Sequence, residues 1–292
     1  MDRGLRLLEQ AIDMHVHSSP DLFQRKMDDC QLSEWIDRAG MRAAVVKGHY
    51  GDTSSRVNLF NRQQQAKANL LGSIVLNNFV GGLNPYAVET AMKMGAKVVW
   101  LPTIHALNHL RYYGGANYTA MKADQHSLSP GDGLTVVDER GVLKEEVLTI
   151  IELVRDGDVC LATGHIGNAE AWYLCEAALE MGVKRLVLTH PDFEIHRMPV
   201  EQQKELALKG CIIEKTYLPL TPSWYHASIE ELAASIKEIG AESCILTSDL
   251  GQVDNEQPPL GLAAFISGLL AQGIAADEIE LMVKENPARL LY

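Results

Sequence analysis

Short runs of Val, Ile, Leu and Ala alternate with longer amphipathic segments along this 292-residue chain, the pattern left by repeated strand and helix units around a parallel sheet. The runs are Ala11–His17, Met41–His49, Leu70–Asn77, Ala96–Thr103, Asp158–His165, Lys184–His190, Gly210–Thr216 and Ser243–Asp249, each apolar for most of its length and free of proline until its end. Between them the period changes to that of a helix. Ile229, Leu232, Ala233 and Ile236 fall at i, i+3, i+4 and i+7 with Glu230, Glu231, Lys237 and Glu238 on the other face, and Val147, Ile150, Ile151 and Val154 repeat the spacing. Gly40, Gly95, Gly182 and Gly240 each follow such a helix and precede a strand, where a left-handed glycine ends the helix. Eight strands with intervening helices fit a closed (β/α)8 barrel or an open doubly wound sheet. The count favours the barrel, and no glycine-rich phosphate fingerprint follows the first strand. The expected fold is therefore α/β, a (β/α)8 TIM barrel forming a single domain over residues 1–292, a length close to the roughly 250 residues of such barrels once insertions are added.

One connection is much longer than the others, from Ala106 to Leu143 between the fourth strand and its helix, with Tyr112, Tyr113, Gly114, Gly115 and Tyr118 near its start. Its end, Leu134-Thr135-Val136-Val137 followed by Asp138-Glu139-Arg140-Gly141 and Val142, predicts a hairpin with Gly141 supplying positive φ. A long ordered loop that leaves the carboxyl end of a barrel strand is expected to act as a lid over the mouth, so residues 106–143 are read as a lid insertion.

Composition narrows the function classes. Hydrophobic residues make up 47% of the chain and charged residues 22%, with no low-complexity tract and no stretch near the length of a membrane span, as in a soluble globular enzyme. The segment Met1-Asp2-Arg3-Gly4-Leu5 mixes charges into a short amphipathic stretch without the apolar core of a signal peptide, which places the protein in the cytoplasm. A formal net charge of −12 argues against nucleic acid as a partner, because such binding needs Lys and Arg concentrated on one face. Cys30, Cys160, Cys175, Cys211 and Cys244 are odd in number and unpaired in spacing, so they read as buried small hydrophobes in a reducing compartment rather than a zinc knuckle.

The candidate chemistry lies where the strands end. His15 and His17 stand one residue apart on the first strand, and residues i and i+2 of a strand share a face, so both rings can grip one ion. Lys47 and His49 close the second strand and His105 lies just past the fourth, while His165, His190 and Asp249 close the fifth, sixth and eighth. Six of the ten histidines fall at these ends, all directed to one mouth. Imidazole nitrogen and carboxylate oxygen suit a divalent ion, zinc first, with manganese and iron compatible, and the set His15, His17, His165, His190 and Asp249 supplies enough donors for one or two ions with an open position. Zinc brings a bound water to a pKa of about 7 and so provides a hydroxide nucleophile. Asp249 and His190 are the expected catalytic residues, Asp249 taking the proton and passing it to the leaving group. Asp13, two residues before His15, either accepts a ring N–H or caps the strand.

These residues, in this order, resemble the amidohydrolase superfamily of metal-dependent (β/α)8 hydrolases, which includes phosphotriesterase-like lactonases and dihydroorotase-like amidases. The family's His-x-His on the first strand, histidines on the fifth and sixth and aspartate on the eighth are similar to His15, His17, His165, His190 and Asp249. The end of the chain, Glu285-Asn286-Pro287-Ala288-Arg289-Leu290-Leu291, is similar to a segment that commonly closes such proteins, and reads equally as a helix start with Asn286 as N-cap and Pro287 in the first turn. The resemblance fails on the fourth strand. Many binuclear members bridge their metals there with a carboxylated lysine or a glutamate, and Ala96–Thr103 ends in neither. His105 is the nearest substitute. Lys47 is a candidate for carboxylation, for binding a substrate anion, or for an ion pair with Asp249 or Glu214, so the number of metals is left open.

Arg111 and Lys215 are candidates for holding a substrate carboxylate or phosphate, against surface salt bridges as the plain alternative. Glu214 or Lys215 faces the pocket, depending on a single step of strand alternation. Trp100, Trp172 and Trp224 are expected to be packing residues. The resemblance implies a hydrolase that attacks an amide, lactone or ester bond of a small molecule with a metal-bound hydroxide. A mononuclear decarboxylase similar to aminocarboxymuconate semialdehyde decarboxylase is the alternative, with phosphoesterases and a non-enzymatic metal-binding barrel behind it. The expected partner is a small-molecule substrate, with no membrane and no nucleic acid, and the sequence leaves room for a homo-oligomer.

Overall fold

The computed structural model describes residues 3–63, 69–114 and 131–292. Eight parallel strands carry it: β1 (Ile12–Val16), β2 (Ala43–Val46), β3 in two halves (Asn69–Leu71 and Ser73–Val75), β4 (Val98–Trp100), β5 (Cys160–Ala162), β6 (Leu186–Leu188), β7 (Ile212–Thr216) and β8 (Cys244–Thr247). Each pairs with its neighbours in chain order, and the halves of β3, separated by Gly72, join β1–β2 to the remaining strands. The circle closes between the first and last strands. Val16 bridges Leu250 in parallel, Asp249 N–H donates to His15 O at 2.9 Å and His17 N–H to Leu250 O at 2.8 Å. The predicted α/β barrel is thus the fold, and every predicted run contains an observed strand. In six of the eight, ladder pairing stops two or three residues before the run ends, which leaves the polar ends free to turn into the mouth.

Two apolar layers explain why both faces of each strand are hydrophobic. Ile12, Met14, Ala43, Val45, Val75, Val98, Trp100, Cys160, Ala162, Val187 and Ile245 fill the barrel interior, as expected of a barrel packed by side chains rather than open as a pore. The alternate residues, such as Ala44, Val46, Val99, Leu161, Leu188, Ile213 and Leu246, pack outward against the helices. Among these are α5 (Leu107–Tyr113), α6 (Glu145–Asp156), α7 (Asn168–Glu180), α8 (Val200–Lys209) and α9 (Ile229–Ile239), the helices of the later strands, numbered after four earlier ones. Helix α6 buries Val147, Ile150, Ile151 and Val154, the stripe read from its spacing. Helix α9 begins at a capping box, in which Ser228 Oγ accepts Glu231 N–H at 3.2 Å and the Glu231 carboxylate accepts Ser228 N–H at 2.7 Å. The four glycines predicted to end helices all have positive φ, between 71° and 100°.

Several local expectations change. Asn286 is not an N-cap: it lies within helical backbone, and its side-chain amide donates to Ala241 O at 2.9 Å and Cys244 O at 2.7 Å, tying the last helix (Asn286–Leu291) to the start of β8. Leu290 and Leu291 then close the bottom of the interior layer. Cys30 is exposed, while the other four cysteines are buried and free. The predicted hairpin is present as a tight turn, with Asp138 N–H donating to Val142 O at 2.8 Å, Val137 bridging Leu143, and Gly141 at φ 78°. Of the 106–143 insertion, residues 115–130, including Gly115 and Tyr118, lie outside the described residues. Its two described ends meet, since Ala106 bridges Leu134. Among the described residues no helix is long and apolar enough to cross a membrane.

Candidate functional site

The site begins with an irregularity in β1. Asp13 is in register with Ala44 but Val16 with Val46, so three steps along β1 answer two along β2. Such a bulge changes the side-chain parity of a strand. Ile12 and Met14 point into the interior layer below it, and above it His15 and His17 also face inward, His15 lying 4.9 Å from the Trp100 ring between centroids. At the far side of the closing seam, Asp249 has φ 54°, and just past β6 His190 has φ 26°. Non-glycine residues rarely take these values, and they cluster at functional sites. In both places the strand has ended and the turn aims the side chain into the cavity.

His15, His17 and Asp249 form a donor set in which one atom of each lies within 4.8 Å of the others. Asp249 Oδ1 is 3.0 Å from both His15 Nε2 and His17 Nε2. The opposite ring nitrogens are held by acceptors. His15 Nδ1 donates to Glu214 Oε1 at 2.8 Å and His17 Nδ1 to the Lys47 carbonyl at 2.8 Å. Arg25 Nη2 also lies 3.2 Å from His17 Nδ1, but the carbonyl is nearer and can only accept, so it sets the tautomer. Both Nε2 atoms therefore present lone pairs to a carboxylate oxygen. That opposition is unfavourable unless a cation or proton stands among the three atoms, and two imidazole nitrogens with one carboxylate oxygen suit a divalent ion. The residues present fit the metal that the sequence implies.

The electrostatics of the three groups differ. Burial pushes the Asp249 carboxyl up, but His15 and His17 beside it outweigh burial and hold it well below the usual carboxylate range. Burial lowers His15, yet Asp249 and Glu214 together leave it raised, against Lys47, while burial and the Arg25 guanidinium bring His17 down to about 3. His17 is thus a neutral imidazole available as a ligand, whereas His15, beside Asp249 and Glu214, favours a proton that an incoming ion would have to displace.

Glu214, not Lys215, faces the interior. Besides His15 it accepts the backbone N–H of His190 at 3.0 Å through Oε2 and the Thr247 hydroxyl at 2.9 Å through Oε1. Lys215 is buried on the helix side, donating to Asp192 Oδ2 at 2.8 Å, Gln203 Oε1 at 2.7 Å and Ser235 Oγ at 2.6 Å, so it holds β7 to its helices and no substrate. The ring support considered for Asp13 belongs to Glu214. Asp13 Oδ1 instead accepts the backbone N–H groups of His15 at 3.2 Å and Ser248 at 3.1 Å across the β1–β8 seam, and burial pushes its carboxyl up to about 7.

Lys47 pairs with neither Asp249 nor Glu214 among the described residues. Its Nζ lies 3.0 Å from His15 Nε2 and 4.5 Å over the Trp100 ring, and burial brings it down to about 8. His49 stacks on His17 with centroids 5.0 Å apart and meets Thr103 Oγ1 at 2.9 Å through Nδ1. His165 and His190 stand 5.0 Å apart between centroids and both line the cavity. His190 Nδ1 is buried without a hydrogen-bond partner among the described residues, and His165 Nδ1 faces His109 Nδ1 at 2.9 Å. These two rings neighbour the three-residue donor set without entering it. His105 is buried elsewhere, its Nδ1 accepting Asn78 N–H at 3.2 Å and its ring against Phe79, and does not line the cavity. Arg111 is exposed on α5 and does not line it either. The candidate roles of these two as ligand or anion holder have no support in their positions.

The mouth opens into a cavity of about 450 Å3, within the range of small-molecule sites. Sequence reasoning missed several of its walls. His109 and Tyr113 of α5 line it, as do Phe23, Arg25 and Phe193, and Trp224, expected only to pack, is also there. His109 lies one helical turn past His105, which is a signal of sorts, whereas Arg25 sits in an irregular segment where no period exists to orient it.

A family model described as a family of unknown function (DUF6282) matches residues 10–214. Among curated proteins, none matches in sequence. Solved structures with a similar fold include an amidohydrolase from Pseudomonas aeruginosa, 13% identical over 98% of this chain and 97% of that one, with a TM-score of 0.66. The probable dipeptidase PvdM from the same organism is 11% identical over 99% and 96%, with a TM-score of 0.64. A double mutant of the organophosphorus hydrolase from Deinococcus radiodurans is 14% identical over 97% and 92%, with a TM-score of 0.61. At such identities the likeness establishes a shared fold.

Proposed function

The chain belongs to DUF6282, a family of unknown function, and from that premise we propose that it is a metal-dependent hydrolase of the amidohydrolase type, cleaving an amide, lactone or ester bond of a small molecule. The observation that carries the reading is the approach of His15 Nε2 and His17 Nε2 to the same oxygen of Asp249, 3.0 Å in each case. His15, His17 and Asp249 would hold a divalent ion, zinc by donor type, with His165 and His190 beside them as candidates for a second ion or for substrate. Such an ion supplies Lewis acidity toward a carbonyl or phosphoryl oxygen and makes water more acidic at neutral pH.

The chain's own residues do the rest. Asp249, held ionised, takes the proton of the attacking water, and the water oxygen forms the new bond to the acyl carbon. The bond to the leaving nitrogen or oxygen then breaks, and Asp249 returns the proton to that atom, so that acid and alcohol or amine leave with the elements of water added. His190, its ring stacked beside His15 at 5.8 Å between centroids, orients the carbonyl. Glu214 and the Lys47 carbonyl hold His15 and His17 in the tautomers that keep Nε2 free. The 106–143 insertion, through α5 with His109 and Tyr113 on the cavity wall, would exclude bulk water. Four buried free thiols support a reducing cytoplasmic setting.

A second reading has one observation in its favour. Three donors, with neither lysine nor carboxylate at the end of β4, suit a single ion and hence a mononuclear decarboxylase. The deciding measurement is metal content and turnover of wild type and Asp249→Asn on panels of amides, lactones, esters, phosphoesters and small carboxylates. The proposal expects a divalent ion in the wild type, less in the variant, and hydrolysis lost with it. Wild type purified in metal-supplemented medium without any bound ion, or a variant of unchanged turnover, would sink it.

A further inference from the structure

Among the described residues Arg25 is the one guanidinium that lines the cavity, and its side chain is only 5% exposed. It comes from the segment between β1 and the first long helix, and the backbone there is pinned: Arg25 bridges Gln252 and Lys26 N–H donates to Gly251 O at 2.9 Å, beside Asp249. Nε donates to Asp21 Oδ2 at 2.7 Å, and Asp21 is itself fixed by the backbone N–H of Leu22 at 2.6 Å. The guanidinium lies over the Phe23 ring, 5.3 Å from its centroid. One nitrogen of the fork is therefore satisfied and the plane is locked. The geometry at Nη2 is poorer: it faces His17 Nδ1 at 3.2 Å, whose proton is already given to the Lys47 carbonyl, so it meets a donor where it needs an acceptor. A buried N–H in this position costs free energy until an acceptor arrives.

The surroundings indicate what kind of acceptor. Among the described residues the buried lining carries two cations, Arg25 and Lys47, and one carboxylate, Asp249, while Asp21 behind the wall answers only the Nε of Arg25; the other acidic residue, Asp254, is exposed at the rim. Phe23, Phe193, Leu218 and Trp224 form apolar walls beside this corner. A planar fork presents two parallel N–H groups to two oxygens of a carboxylate. We propose that Arg25 anchors a carboxylate of the substrate, so that the protein acts on small molecules carrying a carboxylate on a flat apolar body, with the scissile bond one imidazole's width away beside Asp249. This rests on the hydrolase reading above and adds a substrate class to it.

Benzoate, with benzamide as its uncharged counterpart, is the probe, titrated calorimetrically into metal-loaded wild type, Arg25→Gln and Asp249→Asn. Wild type should bind benzoate at least about tenfold more tightly than benzamide, and Arg25→Gln should weaken benzoate by about tenfold or more while sparing benzamide. Asp249→Asn, depleted of metal, should keep the preference for benzoate. Wild type without that preference overturns the assignment, whatever the variants do. Benzoate binding lost in Asp249→Asn but intact in Arg25→Gln assigns the carboxylate to the metal and overturns it as well, while leaving the hydrolase reading standing. Loss of metal from Arg25→Gln would make Arg25 a support for His17 and overturn the anchor. A wild type that prefers benzoate yet holds no metal would instead remove the hydrolase reading alone.

Discussion

Glu214 holds two histidines of the site with its two carboxylate oxygens: Oε1 lies 2.8 Å from His15 Nδ1 and Oε2 accepts the backbone N–H of His190 at 3.0 Å. The carboxylate is fully buried, and it couples the ring on β1 to the backbone at the end of β6. Partners of this kind fix the tautomer and orientation of a metal-binding imidazole and commonly account for 10–100-fold in affinity.

Glu214→Gln is therefore expected to fold and to bind a divalent ion about 10–100-fold more weakly. The amide can still accept from His15 or from His190 but brings no negative charge to the ring. Competition between the protein and a chromogenic chelator measures the change directly. An affinity equal to wild type would mean that Glu214 is only a packing and hydrogen-bonding residue of the barrel.

Lys215 makes a contrasting case, because it is as deeply buried as Lys47 yet lies on the other side of β7. Its ammonium has three oxygen partners, from Asp192, Gln203 and Ser235. Removing it strands a largely buried carboxylate, so Lys215→Ala should lower unfolding free energy by about 3–5 kcal/mol, the range seen when one partner of a buried pair is deleted. Urea unfolding gives that number, and metal content per folded molecule should stay at the wild-type value. A variant as stable as wild type would show that the network contributes nothing net.

Thiol chemistry tests the burial pattern without touching the site. Cys30 is exposed and the other four cysteines are buried, and burial drives the Cys244 thiol up to about 12. A small aromatic disulfide reagent should therefore titrate one thiol of the native protein and five after denaturation. Burial and the nearby Asp28, Asp29 and Glu34 carboxylates raise Cys30 as well. Its reaction should accordingly speed up from pH 7 to pH 9 as the thiolate fraction grows. More than one fast native thiol would contradict the packing of the interior strands.

The order of elements was legible because a strand buried on both faces must be apolar throughout and a helix on only one stripe, so runs such as Cys160–Ala162 and spacings such as Val147, Ile150, Ile151 and Val154 carry their own structure. The same logic placed histidines and Asp249 at strand ends and so at one mouth. Parity at those ends was not legible. Strict alternation from the inward Met14 would send His15 outward, and only the bulge against β2, a property of two strands together, brings it in. The positive φ of His190 and Asp249 is likewise imposed by the turns that leave the sheet.

Lys47, Glu214 and Arg25 mark the remaining boundary. Sequence identified the first two as polar residues in apolar runs, where burial without a partner is costly, but which partner each would find depended on strands far apart in the chain. Glu214 meets His15 from 199 positions away. Arg25 lies in a segment with no period, and its place in the cavity follows from contacts with Asp21 and with the loop after β8. The sequence by itself determined the barrel and the ring of strand ends, because hydrophobic periodicity is local. Which donors converge and which side chains line the cavity were decided by the tertiary structure, because barrel closure alone brings the first strand against the last.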